Sequence, residues 1–84
     1  MNKKQRNVLD LIFKVPIASN VKWKDVESLF ISLGAEVTED NGSRIRIKLN
    51  GVKAVFHKPH PNPEIDKGAL VSVRRFLENA GIEL

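Results

Sequence analysis

Two runs of six residues, Arg44–Leu49 and Val52–His57, alternate in hydrophobicity and are separated only by Asn50-Gly51. Successive side chains of a strand point to opposite faces, so both runs read as strands with one buried and one exposed face. Asn-Gly provides the two positive-φ residues of a type I′ turn, the strongest short-range hairpin signal. If both strands are regular, Ile45, Ile47, Leu49, Val52, Ala54 and Phe56 point at a core. Arg44, Arg46, Lys48, Lys53, Val55 and His57 then point away from it. A sheet of this kind needs a second layer over its apolar side.

The rest of the chain offers helices for that layer. Val8, Leu9, Leu11 and Ile12 form an apolar stripe that predicts a helix over Lys3–Phe13, stopped by Pro16 and followed by a connector through Asn20. Trp23, Val26, Leu29, Phe30 and Leu33 recur at helical spacing and predict a second helix over Trp23–Leu33, with Asp25 and Glu27 near its positive end and Gly34 as its stop. Trp23 reads as core packing. Ala35–Glu39 alternates weakly and predicts a strand before the hairpin, with Asp40-Asn41-Gly42 as the turn between them. Pro59, Pro61 and Pro63 predict a stiff loop without regular pairing. Asp66 then caps a last helix over Lys67–Ala80, whose stripe is Leu70, Val73, Phe76, Leu77 and Ala80 and whose stop is Gly81. The predicted fold class is α+β in two layers, and the 84 residues are expected to make one domain, near the lower size at which a single core suffices. Residues 1–20 are the N-terminal helix and connector; residues 21–84 are the core.

Charge is distributed unevenly. Gly42–His60 holds five Lys/Arg, no acidic residue and both histidines, whereas the flanking segments nearly cancel within the overall charge of +4. A cationic strand face is a phosphate-binding surface in the first instance. The chain has no cysteine, which removes disulfides and thiolate metal sites. Its basic N-terminus precedes an apolar segment broken by Asp10 and Lys14, unlike a signal peptide, and no run is long enough to span a membrane. The expected setting is the cytoplasm, with no membrane partner.

In this order of elements the chain resembles the HicA family of bacterial toxin–antitoxin ribonucleases, whose fold is like the double-stranded-RNA-binding domain. The resemblance runs over Trp23–Leu84 and rests on four pieces. They are Leu33-Gly34-Ala35 closing a helix, Gly42-Ser43 opening a strand, Phe56-His57-Lys58-Pro59-His60-Pro61 after the next, and Lys67-Gly68 opening a helix that ends Phe76-Leu77-Glu78-Asn79-Ala80-Gly81-Ile82. It implies an α-β-β-β-α core with an extra N-terminal helix, an mRNA interferase activity, and a HicB-like antitoxin as partner. HicA proteins typically carry the catalytic histidine directly after Gly-Ser, where this chain has Arg44. The family's later histidine is matched by His60, and His57 is an additional imidazole.

Cleavage of RNA without metal or other cofactor requires a base for the ribose 2′-hydroxyl, an acid for the leaving oxygen and cations for the transition state. Histidine suits the first two roles because its charge changes near neutral pH. His57 and His60 are the imidazoles available as catalytic residues. Arg44, Arg46, Lys48, Lys53, Lys58 and Lys67 are the candidate RNA-binding residues, arginine being the better match to phosphate oxygens. Asp66 reads as a helix cap, Glu64 as solvated, and His57-x-x-His60 without cysteine is a poor metal site. Two other readings stand beside the ribonuclease. One is a non-catalytic RNA-binding module of the same fold, to which Lys67, Arg74 and Arg75 of the last helix would contribute if they face solvent. The other is an interaction domain for an acidic protein.

Overall fold

In the computed structural model, which describes residues 1–84, the elements follow as α1 (Lys3–Ile12), β1 (Val21–Lys22), α2 (Trp23–Ser32), β2 (Glu36–Asp40), β3 (Arg44–Leu49), β4 (Val52–His57), β5 (Glu64–Ile65) and α3 (Lys67–Asn79). β2, β3 and β4 form an antiparallel sheet in that order. The β3–β4 hairpin closes on Asn50 and Gly51, with φ of 50° and 81°, as the type I′ turn requires. Its alternation is complete: Ile45, Ile47, Leu49 and Phe56 are buried, while Arg44, Arg46, Lys48, Lys53, Val55 and His57 are exposed.

The helices are delimited by local chemistry. Asn2 and Gln5 form a reciprocal capping box at the start of α1. Asp66 Oδ1 accepts from the Ala69 N–H at 2.7 Å and caps α3, as its position in the sequence predicts. α2 and α3 both end in Schellman geometry at Gly34 and Gly81. Ala35 N–H reaches back to the Phe30 carbonyl and Ile82 N–H to that of Leu77, with the glycines at φ of 89° and 82°.

All 19 buried residues are hydrophobic and form one cluster. α2 and α3 cover the sheet, and α1 packs on both helices through Val8, Leu9 and Ile12. At the centre, Phe30, Phe56 and Phe76 meet pairwise with ring centroids 5.6–5.9 Å apart, and Trp23 joins Phe30 and Phe56 at 6.3 and 6.1 Å. Each such aromatic pair contributes about 0.5–1.5 kcal/mol beyond its buried area. Phe56 thereby fixes the end of β4, and with it the neighbouring His57. No helix is long and apolar enough to cross a membrane.

Two features depart from the sequence expectations. The proline-rich segment ends in a short strand: β5 pairs antiparallel with β1, matching Val21 to Ile65 and Lys22 to Glu64. The Pro63 carbonyl also accepts from the Trp23 N–H at 3.0 Å, satisfying an orphan donor at the start of α2. Glu64 is accordingly half-buried, and not simply solvated. The second departure is Arg74. Its Nε and Nη2 donate to the Ile12 and Lys14 carbonyls at 2.8 and 2.7 Å, closing the C-terminus of α1. Arg74 is therefore engaged within the fold and does not extend a cationic surface along α3.

Candidate nucleic-acid interface

With no polar residue buried, the chemistry of this protein lies on its surface. The side of the β2–β3–β4 sheet turned away from the helices is arranged in three cross-strand rows. Glu36, Lys48 and Lys53 share one, Thr38, Arg46 and Val55 the next, and Asp40, Arg44 and His57 the third. β2 thus brings two carboxylates with a threonine between them, β3 three cations, and β4 a lysine, a valine and a histidine. Arg44 and His57 are direct Cα partners. Side chains so paired have Cβ atoms about 4.5–5.5 Å apart, so guanidinium and imidazole can address one phosphodiester. Along β3 the cations recur every two residues, about 6.8 Å. A shallow open depression of about 430 Å³ lies over the middle of this face, lined by Thr38, Arg46, Lys48, Lys53 and Val55 among others.

Ion pairing divides the cations. Arg46 Nη2 sits 3.2 Å from Asp40 Oδ2, whereas no carboxylate is within ion-pairing distance of Arg44, Lys48 or Lys53. Val55, 45% exposed, is an apolar step among them and offers a surface for a ribose or base. Four of the five aromatic side chains are buried on the helix side and Phe13 is half-buried, so stacking on exposed rings has no place on this face.

The other candidate residues lie elsewhere. Continuing the alternation of β4 by one residue turns Lys58 to the helix side of the sheet. Its Nζ meets Glu39 Oε1 there at 3.1 Å, while its backbone N–H donates to the Ser43 carbonyl at 2.7 Å. His60 is exposed in the proline-rich loop between β4 and β5, and Lys67 is exposed in the first turn of α3. Neither imidazole has a hydrogen-bond partner within the protein. No three His, Cys, Asp or Glu side chains converge in the manner of a metal site. Sequence reasoning missed the outward residues of β2. Their signal was present, since Glu36, Thr38 and Asp40 follow the two-residue period.

A search of curated proteins and one of solved structures gave no match. A family model, the HicA toxin of bacterial toxin–antitoxin systems, matches residues 23–82, from the first residue of α2 to just beyond α3. Most of the chain is thus covered, and the α+β architecture with its three-stranded antiparallel sheet agrees with that assignment: the chain belongs to the HicA toxin family.

Proposed function

We propose that this chain is the ribonuclease toxin of its pair, cutting mRNA in the cytoplasm by a metal-independent reaction until a HicB-like antitoxin covers the cationic face. The observation that carries this reading is the Arg44–His57 cross-strand pair, set among Lys48, Lys53 and Arg46 on one exposed surface. In the proposed reaction the His57 imidazole takes the proton of a ribose 2′-hydroxyl. That oxygen attacks the adjacent phosphorus, and the bond from phosphorus to the 5′-oxygen breaks. His60, three residues along the chain and therefore within about 11 Å of His57 between Cα atoms, donates a proton to the departing oxygen. The products are a 2′,3′-cyclic phosphate and a 5′-hydroxyl. Arg44, the direct partner of His57, stabilises the additional negative charge of the phosphorane-like transition state, while Lys53, two rows along β4, holds a neighbouring phosphate of the strand. In this reading the imidazole that HicA proteins carry after Gly-Ser is replaced by one directly opposite, on β4.

Incubation of end-labelled mRNA in excess EDTA tests the proposal. Cleavage leaving cyclic phosphate ends, and lost in His57→Ala or His60→Ala, supports it; cleavage unchanged in both variants refutes the assignment of these residues. One observation favours the alternative of a non-catalytic RNA-binding module: neither imidazole is oriented by a protein group. Salt-sensitive RNA binding without any cleavage would decide for that alternative.

A further inference from the structure

β4 is an edge strand of the three-stranded sheet, and its backbone is polarised between the two sides. The hydrogen bond from Lys58 N–H to the Ser43 carbonyl fixes the phase of the ladder. Val52, Ala54 and Phe56, opposite Leu49, Ile47 and Ile45, exchange hydrogen bonds with β3. Lys53, Val55 and His57 then aim their N–H and C=O groups at the open edge. None of the backbone hydrogen bonds made outside helices and strands engages these groups. The strand has six residues in unbroken register, without a proline or bulge to blunt it. The opposite edge, on β2, belongs to a strand carrying Glu36, Glu39 and Asp40.

We infer that the β4 edge is a docking site for an extended segment of a partner protein, which joins the sheet as a fourth strand. Charge complementarity specifies its sequence. The open-edge residues read Lys53, Val55, His57, with Arg44 and Lys48 one strand further in. The matching segment carries an acidic, an apolar and an acidic residue at alternate positions. This order is symmetric, so it suits either strand direction. Main-chain hydrogen bonds hold the segment and its alternate side chains select it. If the proposed function holds, such a strand also sets a carboxylate beside His57 and closes the RNA face from its side, which is how an antitoxin would neutralise this toxin.

The probe is the peptide Thr-Thr-Glu-Thr-Val-Thr-Glu-Thr-Thr, followed by amide chemical shifts and hydrogen exchange of the isotope-labelled protein. The expected result is protection confined to the Lys53, Val55 and His57 amides. Val55→Pro removes an edge N–H that β3 does not use, and should weaken binding about tenfold while the β3–β4 amides stay protected. Should that variant fail to fold, Lys53→Glu decides: it should reject this peptide and accept the version in which one of the two Glu is Lys. Peptide binding that leaves the edge amides exchanging, or that neither substitution alters, overturns the proposal. Protection of the same amides by a uridine nonamer instead would assign the edge to nucleic acid and equally overturn it. RNA cleavage is not a readout here, so this inference and the ribonuclease reading fail separately.

Discussion

Asp40 withholds one arginine from any polyanion on the sheet face, and removing its charge has a calculable consequence. In the native chain Arg44, Lys48 and Lys53 lack carboxylate partners, whereas Arg46 is paired with Asp40 at 3.2 Å. Each phosphate neutralised on a single strand contributes about −0.7 to the slope of log K against log salt, so three cations give about −2.1. Asp40→Asn releases Arg46 and brings the slope to about −2.8. Between 50 and 200 mM salt the native protein should lose about 20-fold in affinity for a single-stranded RNA and the variant about 50-fold. The Arg46–Asp40 pair lies at the solvent-exposed surface, so its removal should change stability by less than about 1 kcal/mol. Fluorescence anisotropy with a labelled oligoribonucleotide, titrated at four salt concentrations, reads both slopes. Equal slopes for the two proteins would show that Arg46 already engages RNA despite Asp40. A native slope near zero would refute the phosphate-binding reading of the face altogether.

Two further predictions concern the joints of the fold. Arg74→Met keeps an apolar stem but loses two charge-assisted hydrogen bonds to the end of α1. It should cost about 2 kcal/mol, lowering Tm by about 8–16 °C, with α1 amides exchanging first. Asn50 Nδ2 donates to the Ala80 carbonyl at 2.8 Å, tying the hairpin tip to the end of α3. Asn50→Gly keeps the turn and should cost about 1 kcal/mol in urea unfolding, whereas Asn50→Ala adds a left-handed backbone penalty of about 1–2 kcal/mol. Equal losses for the two Asn50 variants would show that the side-chain bond, and not the turn, dominates.

The legible parts of this chain are those written by period and by turn chemistry. Arg44–Leu49 and Val52–His57 alternate without interruption, and Asn50-Gly51 fixes their register, so which side chains share a face follows from the sequence. Gly34 and Gly81 close helices because only a residue at ease with positive φ completes a Schellman motif. The β1–β5 pair was illegible because two residues carry no period, and its partners lie more than forty positions apart. Arg74 reads as a surface cation on α3 until α1 is placed beside it, since its acceptors are sixty or more residues away. Lys58 is a related problem. Its position on the helix side depends on β4 continuing one step past His57, into a segment whose prolines argue against pairing. The composition of the cationic face could thus be read from the sequence, whereas the ion pair that occupies Arg46 could not: the register sets Asp40 opposite Arg44, and its carboxylate reaches diagonally to Arg46 instead.

Chemical rescue tests the central assignment most directly. Cleavage of an mRNA fragment is followed under single-turnover conditions in excess EDTA, for the native chain and for His57→Ala with and without added imidazole. A general base contributes about 10²–10⁴-fold to such a reaction, so the variant should be slower by that factor. Free imidazole should restore part of its rate in proportion to concentration, leaving the same cyclic phosphate ends. A His57→Ala protein that cleaves as fast as the native chain, or a native chain that does not cleave at all, would contradict the account.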